Sequence, residues 1–298
     1  KYQEQVTGNA WSTGNSMNTA KVFPGGAGTQ TAALAFGAFN PSTSANTELY
    51  DGSSWTEVNN LNVARGRMGS NGTSTSALGY GGANPSISNQ TESWNGTNWT
   101  AVATLNTARQ QLAGAGADNT SALAFGGFNP PTYYANTESW NGSSWTELND
   151  LNTARRDLGG NGIITSALAY GGDTPGSTAA TESWNGSSWT DVADLNTARR
   201  LAGAGTDNTN ALGIGGETPG GASALTESWN GSIWTETSDL NTARQELGAT
   251  GASNSSALAF GGSLNPPAVA FTEEWNADFA YGVWATGGNI CFIFWWRC

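Results

Sequence analysis

A four-residue box, Asn-Thr-Ala-Arg, returns through this chain at a nearly fixed interval, and a fixed period constrains a fold more tightly than any local signal. The box begins at Asn18 (ending in Lys21), Asn62 (with Val63 for Thr), Asn106, Asn152, Asn196 and Asn241, so the step is 44 to 46 residues and six units follow one another. The stretch from Thr181 to Gly216, TESWNGSSWTDVADLNTARRLAGAGTDNTNALGIGG, shows the shared wording most fully.

Alternation and turn chemistry divide each unit into four short strands. In the third unit the first strand is expected over Leu112–Ala117, built almost wholly from Ala and Gly, with a turn at Asp118-Asn119-Thr120. The second is expected over Ser121–Phe125, stopped by Gly126-Gly127. After a variable loop come a third strand at Thr137–Trp140, a tight Asn141-Gly142 turn and a fourth strand around Trp145–Leu148. Asn-Gly between two apolar runs is a strong hairpin signal, because both central residues of the favoured two-residue turn have positive φ. It recurs at Asn95-Gly96, Asn185-Gly186 and Asn230-Gly231, with Asp51-Gly52 as the equivalent.

Four features stand in register across the units: a diglycine after the second strand (Gly81-Gly82, Gly126-Gly127, Gly171-Gly172, Gly215-Gly216, Gly261-Gly262), an aromatic in the third strand, a Trp a few residues later and a basic residue before the next unit. With them the chain, over roughly residues 9 to 276, resembles the kelch repeat of β-propellers. The resemblance implies an all-β, six-bladed kelch-like propeller with four antiparallel strands per blade. The chain departs from the usual pattern in carrying Trp94, Trp140, Trp184, Trp229 and Trp275 where such repeats mostly have Tyr, and Gly37-Ala38 replaces the first diglycine. The Asn/Thr-rich wording is also similar to repeat proteins encoded by marine bacteriophages.

Trp11 precedes Asn18 by seven residues, as Trp55 precedes Asn62, so the amino terminus reads as a fourth strand. The last unit ends with a third strand, Thr272–Trp275, that lacks one. Pairing of the N- and C-terminal strands in one blade is therefore expected to close the ring and remove two free sheet edges. Trp284 in Tyr281–Gly288 competes for the same position; Trp11 is the favoured occupant, and the alternative is a cut from a longer array. The propeller is expected over residues 1–278 and an appendage over 279–298, whose apolar end Cys291–Cys298 has no counterpart elsewhere. The start at Lys1, without a leader, implies a processed chain or a fragment.

The second strands put large residues on one face (Leu34/Phe36, Leu78/Tyr80, Leu123/Phe125, Leu168/Tyr170, Leu212/Ile214, Leu258/Phe260) and small ones such as Ala33/Ala35 on the other. Large against small suits stacked blades about 10 Å apart. The repeated bases (Lys21, Arg65, Arg109, Arg155, Arg199, Arg244) match one Glu per unit (Glu48, Glu92, Glu138, Glu182, Glu227, Glu273) and read as structural clips rather than a ligand site. The Trp pairs spaced by five, such as Trp94/Trp99, read as core between blades in preference to sugar platforms. Asn-Gly-Ser/Thr strings match glycosylation acceptors, but turn chemistry already explains them.

Composition limits the chemistry. There is no His, which removes triads, His-ligated zinc and His bases. No calcium loop of the Asp-x-Asp-x-Asp-Gly kind occurs, so no metal and no cofactor is expected. Kelch-type propellers include copper oxidases, whose His and Cys ligands this propeller lacks; the Asp-x-Gly box of six-bladed sialidases is also missing. The net charge of -12, with only 11 Lys and Arg, argues against nucleic acid. No run approaches the roughly 20 apolar residues of a membrane helix, so a soluble chain without membrane insertion is expected.

What differs between units is the loop from second to third strand: Phe39–Asn46, Ala83–Gln90, Phe128–Asn136, Asp173–Ala180, Glu217–Leu225 and Ser263–Phe271. Antiparallel strands bring all six to one face, where prolines such as Pro85 and Pro175 stiffen them. The candidate binding residues there are Phe39, Asn40, Phe128, Asn129, Tyr133, Tyr134, Asp173, Glu217 and Phe271. These features imply a non-catalytic binding or structural module on a virion or extracellular surface, with a protein partner. The alternatives are a lectin-like propeller for host-surface glycans and a glycoside-active enzyme with an axial carboxylate pair.

Overall fold

The computed structural model describes residues 4–39, 42–286 and 289–293, and among them every regular element is a β-strand. Five sheets of four antiparallel strands and one that adds a fifth strand to the same four-strand core form a six-bladed β-propeller. In the third blade the strands run Ala113–Asp118, Ser121–Phe125, Thr137–Trp140 and Trp145–Glu147, from the axis outward. The innermost strands are Gly- and Ala-rich because six of them crowd one axis, where side chains larger than a methyl group have little room.

The sixth sheet combines the two ends of the chain. Its four blade strands are Gly248–Ser253, Ser256–Phe260, Thr272–Thr286 and Glu4–Gly14, and Asn289–Ile293 adds a fifth. Trp11 lies opposite Trp275, as Trp99 lies opposite Trp94. The strand that begins at Thr272 runs on past residue 278 without a break, and its far half pairs with both the amino-terminal strand and Asn289–Ile293. Trp284 falls in this extension, opposite Cys291, and residues 294–298 of the terminal tail lie outside the described residues.

One interface recurs around the ring. Leu123 and Phe125 of the third blade pack on Ala167 and Ala169 of the fourth, with Trp184 and Trp189 filling the outer part of the gap. The same arrangement joins Leu34 and Phe36 to Ala77, Trp94 and Trp99, and Leu258 and Phe260 of the last blade to Ala33, Ala35, Tyr50 and Trp55 of the first. Burying a Trp removes 150–250 Å² from water, an upper bound of about 4–6 kcal/mol per ring at ~25 cal/mol per Å². The buried indole N–H of each fourth-strand Trp needs an acceptor and finds a threonine hydroxyl on the preceding blade. Trp99 donates to Thr47, Trp145 to Thr91, Trp189 to Thr137, Trp234 to Thr181, Trp55 to Thr272 and Trp11 to Thr226. Trp11 thus makes the contact that a fourth-strand Trp makes in every other blade.

The hairpin between third and fourth strands has the expected limits but not the expected positive φ at both Asn and Gly. Trp94 pairs with Trp99, which leaves Asn95–Asn98 as the loop, and only Gly96 (φ 90°) has positive φ. The asparagine serves through its side chain instead: Asn95 Oδ1 accepts the N–H groups of Thr97 and Asn98 at 3.0 and 2.8 Å. Asp51 Oδ1 does the same for Ser53 and Ser54. An Asx turn needs no left-handed Asn, so the dipeptide marks the hairpin correctly for a different physical reason.

Replacing Trp11 by Ala should lower the unfolding free energy by about 3–5 kcal/mol, as much as Trp99→Ala, in spite of its place near the amino terminus. Chemical denaturation of both variants measures this; a loss below ~1 kcal/mol for Trp11→Ala would put the first strand outside the cooperative ring.

Candidate binding site at the axial mouth

The connectors between blades set the geometry of one end of the axis. Each box base is fully buried and bound to a glutamate in the third strand of the blade it leads into: Lys21–Glu48 at 3.3 Å, Arg65–Glu92 at 2.5 Å, Arg109–Glu138 at 2.5 Å and Arg155–Glu182 at 3.1 Å, with Arg199–Glu227 and Arg244–Glu273 completing the set. The carboxylate also collects the box asparagine. Glu92 Oε2 accepts both N–H and Nδ2–H of Asn62 at 2.7 Å, and Glu138 receives Asn106 in the same way. Burial pulls the Arg65 guanidinium down from its ordinary pKa, while the charge and hydrogen bond of Glu92 pull it back.

The backbone of the same base holds the preceding blade. Arg155 C=O accepts the N–H of Gly127 at 2.8 Å, Arg109 C=O that of Gly82 at 2.9 Å, and Lys21 C=O that of Gly262 at 2.7 Å. The diglycine is needed there: both residues have positive φ in the third blade (67° and 115°), and a Cβ on Gly126 would stand 2.8 Å from Arg155 O. In the first unit Ala38 N–H donates to Arg65 O, with Gly37 alone (φ 61°) taking the left-handed conformation.

Held this way, the connectors project one residue each over the axis. The residue two places after the base is Phe23, Arg67, Gln111, Asp157 or Glu246, and each has φ between 51° and 60°. Left-handed backbone in residues other than Gly costs of order 1 kcal/mol or more and persists only where its surroundings impose it. Here a circle of backbone hydrogen bonds does so: Phe23 N–H to Glu246 O, Arg67 N–H to Phe23 O, Gln111 N–H to Arg67 O, Asp157 N–H to Gln111 O and Leu201 N–H to Asp157 O. The fifth unit is one residue shorter after its base, so no sixth cap exists, and Arg200 pairs across its sheet with Glu217. Beneath the caps lies a cavity of about 350 Å³.

Charge is concentrated on one side of this mouth. Arg156 Nε binds Asp173 at 2.9 Å, and the Arg156 guanidinium carbon stands 4.3 Å from the centre of the Phe128 ring, which packs on Tyr133 at 4.9 Å. Tyr133 donates to Asp173 Oδ2 at 3.2 Å, and Arg200 bridges Asp173 (3.4 Å) and Glu217 (2.8 Å). Gln111 Nε2 donates to Asp157 Oδ2 at 2.7 Å. Burial pushes the Asp157 carboxyl up to about 6, against the pull of Arg200, Gln111 and Arg156. Burial and the neighbouring Asp157 raise Glu246 as well. Burial also pushes Asp173 up, but its Arg156 hydrogen bond and the Arg200 charge outweigh it and leave the carboxyl below its usual range.

Of the residues singled out in the loops, Phe128, Tyr133, Asp173 and Glu217 meet in this network. Phe39 stands apart beside Arg67, at 5.3 Å from its guanidinium, and is 39% exposed, as is Phe271. Asn129 donates to Ala108 O, and the Tyr134 backbone is engaged by Gly127 and Arg155. Asn40 lies outside the described residues. Arg156, Arg200 and the caps Phe23, Arg67, Gln111, Asp157 and Glu246 follow the box bases, outside the variable loops, and carry no loop signal. A signal for the caps was there: they occupy the position where an otherwise constant box changes residue type in every copy. No protein-family model and no curated protein matches this chain.

Because Asp157 holds its proton more tightly folded than unfolded, its contribution to stability is intact below about pH 4 and falls as pH rises toward about 6. Asp157→Asn removes that penalty, so its melting temperature should gain on the parent between pH 4 and 7 and run parallel below pH 4. A constant offset across the range would show that Asp157 ionises normally.

Proposed function

We propose that this chain is a kelch-type propeller acting as a non-catalytic binding or structural module, engaging a protein partner through the face that carries the variable loops and the axial mouth. The observation that supports this most is how the units divide. Residues common to the units, such as the Arg–Glu clips and the Trp pairs, are buried, whereas those that differ lie together on one face. Phe39 and Phe271 supply exposed aromatic surface there, the type of residue that anchors interfaces. Placement on a virion or another extracellular surface rests on the phage-like wording and the scarcity of Lys and Arg. The same scarcity argues against nucleic acid.

A lectin-like role is less well supported, because Phe128 and Tyr133 are already packed on each other and on Arg156. An enzymatic reading draws on Asp157 and Glu246 at one cavity, the first protonated up to about pH 6 as a general acid requires. Turnover on a glycoside panel that disappears in Asp157→Asn would put that reading first.

A photo-crosslinking residue placed at Phe271 should capture a specific neighbour in the native assembly, while one at Ser143, on the opposite face, should not. Phe39→Ala together with Phe271→Ala should weaken that contact at least tenfold, ~1.4 kcal/mol or more. Cross-links only from Ser143 would reverse the face assignment.

A further inference from the structure

The charges around the axial mouth do not all find partners among the described residues. Arg156 and Arg200 are engaged by Asp173, Asp157 and Glu217. Arg67 is different. Its guanidinium lies 4.8 Å from the Phe23 ring centre and 5.3 Å from that of Phe39, but among the described residues no carboxylate pairs with it, and its buried Nε has no hydrogen-bond partner. A cation–π contact consumes none of the N–H donors. Glu246 is the opposite case, a half-buried carboxylate with no salt bridge and no side-chain hydrogen bond among the described residues. Next to it Gln245, only 8% exposed, lines the same cavity, and its Oε1 is buried without a donor.

These two charges have opposite sign, and the Arg67 charge draws the Glu246 carboxyl downward from a distance, but among the described residues no salt bridge joins them, and in the ring of caps Phe23 stands between the two residues. Phe23 N–H donates to Glu246 O, and Arg67 N–H donates to Phe23 O. The order around the lip is therefore carboxylate, aromatic ring, guanidinium. A ligand that satisfies both ends carries an ammonium and a carboxylate joined by a short apolar spacer. A singly charged ligand would gain only one of the two charge-assisted contacts.

We propose that the axial mouth is a binding site for a small aliphatic zwitterion, with the ammonium held by Glu246 and the Gln245 amide oxygen, the carboxylate by Arg67, and the methylene spacer laid across Phe23. The cavity of about 350 Å³ is at the lower end of the size range of small-molecule sites. The site adjoins the face offered to a protein partner, with Phe39 beside Arg67, but titration of the isolated chain with small ligands reads it without that partner.

Isothermal titration of the full chain with a ladder of unbranched ω-amino acids, from glycine through 4-aminobutyrate and 5-aminovalerate to 6-aminohexanoate, tests the proposal. The longer members should bind and glycine should not reach both ends. Pentylamine and pentanoate, each with one charge, should bind at least tenfold more weakly than 5-aminovalerate. Arg67→Gln and Glu246→Gln should each reduce affinity at least tenfold, and Arg67→Lys should retain part of it, with melting curves confirming that the variants fold. The proposal is overturned if no member of the ladder binds at millimolar concentration. It is equally overturned if pentylamine or pentanoate matches 5-aminovalerate within threefold, or if the two charge-removing variants fold and bind as the parent does.

Discussion

The structure depends on one contact repeated around a circle: the leucine-and-aromatic face of one sheet seated on the alanine face of the next. Because each blade has a large face and a small face, the contact of Leu123 and Phe125 with Ala167 and Ala169 can recur from one blade to the next, as it does at the other interfaces. Such a stack has no reason to stop. It ends when the large face of the last blade, Leu258 and Phe260, meets the small face of the first, Ala33 and Ala35. The final blade draws a strand from each end of the chain, with Trp11 opposite Trp275, so the most distant parts of the sequence share one sheet.

Around that ring the box arginine does two things with one residue. Its side chain reaches the glutamate of the blade ahead, and its carbonyl takes a glycine N–H from the blade behind. A buried ion pair gives little net stability over an apolar substitute, but losing one partner strands a charge at a cost of about 3–5 kcal/mol. Its value here is positional. With the connector fixed at both ends, the next residues have one path over the axis, and the strained caps follow from it.

Much of this was legible in the sequence because it repeats. The strand limits of the third blade agree with the structure to within a residue at most ends, since Asn-Gly, diglycine and Leu-Ala-Phe each have one strong local meaning. Asn-Gly marked the hairpin, and the strand limits on either side left the four residues the structure shows, but the left-handed asparagine expected of a two-residue turn is absent, because an Asx turn uses the same letters. The mouth was harder to see. Phe128, Tyr133, Asp173 and Glu217 stood out as loop residues, but the arginines that join them, Arg156 and Arg200, follow box bases and are easily counted with the repeat. The caps shared a variable position after the box, but that they meet was not legible, because their proximity comes from ring closure, which gathers residues some 44 apart. The one-residue deletion after Arg199, which leaves the cap ring incomplete, is a spacing change with no local signature.

Native-state hydrogen exchange of the amino-terminal strand is the most direct test of the closed ring. If the same contact joins every pair of blades, the paired amides of Ala10–Gly14 should exchange only with global opening, at rates like those of Trp99–Val102 in the second blade. Rapid exchange of Ala10–Gly14, at the rate of a fraying terminus while the second blade stays protected, would contradict the account.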